Sequence, residues 1–428
     1  MYLHLKLFGT FASLTHRNFR LFYFGQAISL IGSWMQAVAL SWLILILTNS
    51  SFYLGLVGAL QTLPVLLFSF LAGVVADNVR KIRMLFLTQT TLLLLSLTLG
   101  WLVVGKLPHI WVICVIVFLA GTAVAFDTPV RQAFIVELVG KSDLPNAIAI
   151  NSTLFHATRV LGPAVAGVLI AEIGLASCFF LNAASFAAVL AALAAMKLPH
   201  AKPAPWISFQ RAWRELINHL GQRRELKLLL VIMTLTAIFA IPYYVLLPIL
   251  ARDTLGVGPR GLGLLMAVSG SGAVLGGLML AWRLQYRPPM PLFLSGLGTM
   301  LAGLVGLGLS QNYLLALAFI FIVGFGLVTL LSTGNSLLQL NVPHELRGRI
   351  MSFFGLIFMG LAPIGSLLYG GLAHYLGPGP TIALGSMVTA LCVAFLVARH
   401  PEMRNFAFSE LQPRKAAPIR PSAPSSGS

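Results

Sequence analysis

The sequence predicts an all-α, polytopic membrane protein with 12 transmembrane helices in two six-helix pseudo-repeats. Three observations lead there. Apolar residues make up 58% of the 428 residues and charged residues only 9%, with a mean hydropathy of +0.91; a soluble domain carries about 25% charge and could not cover its surface with so few polar groups. Stretches without Asp, Glu, Lys or Arg recur at the length of about 20 residues that a helix needs to cross a bilayer. The second half of the chain also lies over the first at an offset of about 203 residues, the signature of an internal repeat.

These numbers exclude a cytosolic enzyme, a disordered scaffold and a secreted disulfide module. A formal charge of +17 would suggest a nucleic-acid partner in a soluble chain. In a membrane protein an excess of Lys and Arg marks the cytoplasmic loops instead, so no nucleic acid is expected. Cys114, Cys178 and Cys392 each sit in an apolar run, which fits neither a disulfide framework nor a zinc site.

The spans follow in order. The charge-free stretch from Leu21 to Ala76 holds two helices, with Thr48, Asn49, Ser50 and Ser51 as the turn between them. Met84 to Gly105 is the third and Leu107 to Phe126 the fourth. The fifth runs from Pro145 to Ala171 with Arg159 inside it, and Ile173 to Met196 is the sixth. Leu228 to Ala251 and Gly261 to Trp282 are the seventh and eighth. Pro288 to His344 divides at Ser310, Gln311 and Asn312, and Ile350 to Ala398 at Gly377 to Pro380. The domains expected are an N-terminal bundle over 1–197, a cytoplasmic linker over 198–227, a C-terminal bundle over 228–398 and a disordered basic tail over 399–428. No convincing cleavage site precedes the first helix, which is expected to be retained. In the repeat, Gly73 meets Gly276, Arg80 meets Arg283, Gly167 meets Gly370 and Gly174 meets Gly377.

Of the 28 Lys and Arg, Lys106, Arg252 and Arg260 fall on the side away from the termini and Arg159 falls within a span. All others lie on the side of the termini, which places both termini in the cytoplasm; the inner membrane is the expected location.

Two segments carry mechanism. The loop after helix two reads Gly73-Val-Val-Ala-Asp77-Asn-Val-Arg80-Lys81-Ile-Arg83. A small residue lets helices approach closely, and a carboxylate at a helix end pairs with cations when that end closes. This loop resembles the signature loop of the major facilitator superfamily, with Val79 in place of its second glycine. Helix five reads Arg159-Val-Leu-Gly162-Pro163-Ala-Val-Ala-Gly167. It resembles the kinked Gly-Pro motif of that family's drug and proton antiporters, with Gly162, Pro163 and Gly167 as the kink.

More narrowly, Gly32-Ser-Trp-Met-Gln36, Asp127-Thr-Pro-Val-Arg131-Gln-Ala-Phe and Leu346-Arg-Gly-Arg349 are similar to the siderophore and drug exporter branch of the superfamily, typified by the enterobactin exporter. Val117 stands where many drug exporters carry an arginine. The resemblance implies the major facilitator fold and a secondary active exporter of a siderophore-like or drug-like molecule, working by proton antiport and alternating access. A lipid flippase or an importer on the same bundle is the alternative.

Ionisable and polar groups inside spans are the candidates for the transport pathway. His156 and Arg159 share a helix face. Counted by helical rise, Asp127 and His156 lie at equal depth on consecutive antiparallel helices. Asp127, His156 and Arg159 are therefore expected to form one buried polar group, either a static Arg159–Asp127 ion pair or a site that binds an anionic substrate or exchanges a proton. Gln36 and Gln61 lie at similar depth and are expected to line the pathway or bond to each other. Asn151, Tyr243, Asn335 and Gln339 are further lining candidates.

The sequence holds no H-E-x-x-H, no nucleotide-binding Gly-Lys loop and no carboxylate cluster, so neither enzyme activity, a cofactor nor a metal is expected. The expected partners are a small-molecule substrate, protons and membrane lipids, with the protein a monomer.

Overall fold

The computed structural model describes residues 12–196, 223–283, 289–343 and 346–400. It contains 12 helices long and apolar enough to cross a membrane and, among the described residues, no strand. A 3-10 turn at Ala12–Thr15 leads into α1 (Arg17–Thr48), followed by α2 (Ser51–Asn78), α3 (Lys81–Val104), α4 (Ile110–Gly140), α5 (Ser142–Glu172) and α6 (Leu175–Ala194). The second half comprises α7 (Arg224–Thr254), α8 (Pro259–Arg283), α9 (Pro289–Leu309), α10 (Tyr313–Leu340), α11 (Ile350–Leu376) and α12 (Pro378–Arg399). The expected linker and tail lie outside the described residues except at their edges, where α7 already begins at Arg224 and α12 ends at Arg399.

The turn between α1 and α2 falls where the sequence places it. Asn49 closes α1 in the left-handed region, at φ 48, and donates its N–H to the Leu45 carbonyl, a conformation asparagine tolerates better than most residues. Helices four and five differ from expectation. The sequence ends helix four ahead of Asp127, yet α4 continues to Gly140, because the Asp127 charge is met inside the bundle by Arg131 one turn on. Arg131 thus belongs to a helix and not to the loop cations. Gly140 then breaks the chain at φ 71, where a Cβ would be strained. Helix seven is also interrupted, at Ala240–Pro242, since proline lacks the N–H that would continue it. Both α7 and α11 carry a five-residue π segment, Leu250–Thr254 and Leu356–Gly360.

The two halves repeat one packing plan. Gly121 of α4 lies against the Gln61 carbonyl of α2, and Gly324 of α10 lies against the Ser269 carbonyl of α8. Gly162 of α5 packs on Trp34 of α1, and Gly365 of α11 packs on the Ile238 carbonyl and Pro242 of α7. Gly174 and Gly377 both precede a helix with positive φ, 107 and 84. Each of these glycine pairs keeps the interval read from the sequence. Gln61 and Ser269 are five residues further apart, because α7 runs three residues further than α1 on this register, through its π segment, and its connection to α8 is two residues longer. The matching of Gly73 with Gly276 is accordingly not kept: Gly276 packs on the Phe325 backbone, and Gly73 faces open space.

Each span has a termini end and a distal end, the distal end being that of Asn49 and Lys106. A buried apolar core joins the halves, from Val38 and Ile44 through Leu246 to Ile320. At the termini end of the first half a second core, with Phe19, Phe22, Leu85 and Phe134, draws on that half alone. Large apolar side chains such as Trp101, Leu314, Leu391 and Phe395 are exposed and supply the lipid-facing surface that a membrane-spanning bundle requires.

Candidate transport site

Asp127 is 1% exposed and its carboxylate is fully engaged. Oδ1 accepts from Thr88 Oγ1 at 2.7 Å and Gln89 Nε2 at 2.9 Å, both on α3. Oδ2 accepts from Arg131, whose other terminal nitrogen donates to Gln26 Oε1 on α1. The group therefore ties α1, α3 and α4 together. Within it Gln89 Oε1 and Arg131 Nε have no partner. The expected grouping of Asp127 with His156 and Arg159 is not what the structure brings together. Equal depth fixes height along a helix but not the face presented, and Asp127 is turned toward α3 and its own i+4 arginine. The signal for Arg131 was in the sequence, as an acid and a base one turn apart.

His156 and Arg159 do share a face of α5. Arg159 makes no hydrogen bond or ion pair among the described residues. Its guanidinium carbon lies 6.0 Å from the centre of the Trp34 ring on α1, within the range of a cation–π contact. Trp34 stands edge-on to Phe155, with ring centres 5.9 Å apart, and Phe155 edge-on to His156, 5.7 Å apart. His156 Nδ1 is buried without a partner. At about 1.5 Å per residue, Arg159 lies about 20 Å from the distal end of α5 and about 26 Å from its other end, near the middle of the span. An arginine there costs about 2.5–3.5 kcal/mol unless water or an anion meets it. Trp34 was not among the residues expected at the site; its place in the Gly32-to-Gln36 segment was the available signal.

Gln36 and Gln61 are not paired with each other. Gln36 Oε1 accepts from Asn182 Nδ2 at 2.7 Å and from Ser96, binding α1 to α6 and α3. Gln61 is exposed, with its backbone carbonyl against Gly121. Asn151 is half-buried on α5. Tyr243 is 2% exposed and belongs to the core. Gln339 donates to Asn335 one turn earlier on α10.

In the loop after α2, the Lys81 ammonium pairs with Glu137 of α4 at 2.6 Å, and Arg80 is exposed at the start of α3. Gly73 has no described atom within 4 Å of an added Cβ, so none of the described helices approaches it. Asp77 lies in the last turn of α2; its side chain is outside the described part. The helical assignment of α5 runs unbroken through Pro163. The two glycines of that motif face different neighbours: Gly162 faces Trp34, and Gly167 lies 3.2 Å from the Gly263 Cα of α8 when a Cβ is placed on it.

The contacts between the halves gather toward the distal end. There Glu172 pairs with Arg260, and Arg252 donates to Asn49 Oδ1. Ser51 Oγ donates to the Gly370 carbonyl at 3.1 Å. Gly55 and Gly370 press α2 on α11, as Gly167 and Gly263 press α5 on α8. Nearer mid-span, Gly270 lies against the Arg159 carbonyl, and Gly360 against Leu66. Beyond that, Gly73 and Gly355 both face open space. Among the described residues, the halves touch at the distal end and are parted toward the termini end.

Comparison with known proteins agrees with this architecture. A family model described as transmembrane secretion effector matches residues 8–423. The chain is 26% identical over 379 residues to the staphyloferrin A transporter of Staphylococcus aureus (strain NCTC 8325 / PS 47), covering 88% of this chain and 94% of that one. It is 24% identical over 391 residues to macrolide efflux protein A of Streptococcus pyogenes, covering 89% and 95%. The crystal structure of the nucleoside transporter NupG superposes with a TM-score of 0.71 at 12% identity, over 89% of this chain and 98% of that one, which shows the fold alone. With a multi-pass bundle of two repeated halves and a family match along nearly its whole length, the chain belongs to the transmembrane secretion effector family of the major facilitator superfamily and is a membrane transporter, not an enzyme.

Proposed function

We propose that the protein exports a small organic molecule, siderophore-like or drug-like, across the inner membrane by alternating access coupled to proton antiport. The observation that carries this reading is the asymmetry of the interface between halves, closed at the distal end and parted at the termini end. With both termini in the cytoplasm, as the bias of basic residues supports, the open end faces the cytoplasm, where an exporter loads its substrate and an importer releases it; the asymmetry supports alternating access, and the direction rests on the relative named for efflux. One relative is named for macrolide efflux, and another for the transport of staphyloferrin A, which supports a small organic molecule as the cargo.

In the opposite state the halves rock about their interface and the termini end closes. Asp77, beside Arg80 and Lys81, is assigned to hold that end shut, and Gly73 to admit the neighbouring helix. Asp127 and His156 are the protonatable groups assigned to coupling. The protein works as a monomer among membrane lipids.

The test is a transport assay in inside-out membrane vesicles against a panel of siderophores and drugs, with and without an imposed proton gradient. Accumulation of at least one compound that collapses with the gradient is expected. Transport only out of the vesicles, or translocation of labelled lipid with no soluble substrate moved, would replace export by import or lipid flipping.

A further inference from the structure

We propose that the transported molecule carries an anionic group, a carboxylate or its chemical equivalent, seated on Arg159 beside His156, with an apolar or aromatic portion against Phe155. This rests on the transport reading above and adds the chemistry of the substrate to it.

The argument begins with where the acids are. The chain has 11 Asp and Glu, and those whose pairing the structure describes are engaged away from Arg159. Asp127 is held by Arg131, Thr88 and Gln89. Glu137 pairs with Lys81, Asp143 with His16, Glu172 with Arg260 and Asp253 with Arg252. Glu225 stands in the first turn of α7, at the termini end, and Asp77 in the last turn of α2 at that same end. Helical rise sets that end about 26 Å from Arg159 along α5.

Near mid-span, then, there is a guanidinium with no carboxylate beside it among the described residues. Its one close partner is the Trp34 ring, 6.0 Å away, which leaves its donors unused. A guanidinium with free donors presents a planar fork that matches a carboxylate in two parallel hydrogen bonds. One turn along the same face, His156 Nδ1 is buried and lacks a partner, and it can donate to or accept from the same ligand. The Phe155 ring, 43% exposed and edge-on to both Trp34 and His156, gives the ligand body an apolar wall. Arg159, with no acid at hand, repels a cation, so cationic drugs are disfavoured at this seat. Its backbone carbonyl lies against Gly270 of α8, so a ligand here sits next to the seam along which the halves move.

The test uses the full-length protein in detergent with neutral lipid only. Thermal protection is measured for 2-naphthoate, indole-3-acetate, benzene-1,2,4-tricarboxylate and citrate, each against its uncharged amide. At least one carboxylate is expected to protect at a concentration tenfold or more below its amide. Arg159→Gln should abolish the difference, Arg159→Lys should keep part of it, and Phe155→Ala should raise the half-protecting concentration at least threefold. A parallel arm adds phosphatidylglycerol in place of the acids. Equal protection by acids and amides, a preference that survives Arg159→Gln, or protection by the anionic lipid alone would overturn the proposal. Should Arg159→Gln fail to fold, the comparison of acid with amide on the unaltered protein still decides. Vesicle transport of a cationic compound at an unchanged rate in Arg159→Gln would remove the anion and leave export standing. Carboxylate binding without carboxylate transport in either direction would overturn the proposal that the bound anion is the cargo, and would leave export to be judged on the vesicle panel alone.

Discussion

Glu172 at the distal end of α5 and Arg260 at the start of α8 form an ion pair that spans the two halves of the bundle. Both side chains are more than half exposed, and a pair of this kind contributes about 0–1 kcal/mol. Glu172→Gln or Arg260→Gln should therefore leave the fold intact and shift the balance toward distal opening by up to about fivefold. Paired spin labels on the distal ends of α2 and α11 would report it as a growing long-distance population. The exchanged pair, Glu172→Arg with Arg260→Glu, should restore the original distribution, and failure to do so would remove the latch.

Asp127 presents the opposite case, a fully buried charge. Removing one member of a buried pair costs about 3–5 kcal/mol because the other is left uncompensated. Asp127→Asn and Arg131→Gln should each lower the thermal stability of the purified protein markedly. Combining them should cost less than the sum. A stable Asp127→Asn protein that no longer couples efflux to protons would show that the group serves transport more than folding.

Two glycines on α2 should respond differently to the same methyl group. A Cβ on Gly55 would lie 2.4 Å from the Ser366 carbonyl and 2.8 Å from Gly370 Cα, both backbone atoms. Gly55→Ala should thus push α2 off α11 and raise accessibility of distal cysteine probes. Gly73→Ala meets nothing in this state and even gains about 1 kcal/mol of helix propensity. It should fold at least as well as the parent while transporting more slowly, because closure of the termini end needs the space.

Asp77→Asn should reduce transport with near-normal expression, and alternating-access labelling should show the termini end open for longer. Wild-type transport in this variant would remove Asp77 from the gate.

The orientation can be checked separately. A reporter active only in the cytoplasm should give signal when fused after Ser428, and one active only outside should not. The reverse would place the open end of the bundle away from the cytoplasm.

Much of this was readable from the chain. The number of helices followed because a bilayer demands apolar runs of a set length, and the turn at Asn49 followed because so little else there is polar. Arg159 could be singled out as the one cation in an otherwise apolar run. Its isolation could not, since that depends on where the acids elsewhere in the chain are held. The Asp127–Arg131 pair is written in the i, i+4 spacing, but a rule that ends a span at its first charge hides it. Depth counting put Asp127 beside His156 but carries no information about azimuth. Gln36 was placed with Gln61 on the same ground, whereas its partner Asn182 lies on α6, where only the folded bundle brings it near.

The glycine contacts also set the leverage of the bundle. Gly55 against Gly370 and Gly167 against Gly263 place the tightest backbone approaches between the halves close to one extremity of long helices, so the fulcrum is far off centre. From Gly55 to the end of α2 the arm is about 35 Å. A tilt of about 10° at such a fulcrum sweeps the far tip through about 6 Å, while the backbone beside the fulcrum hardly moves. Large excursions of the termini end thus cost little repacking where the two halves touch most closely.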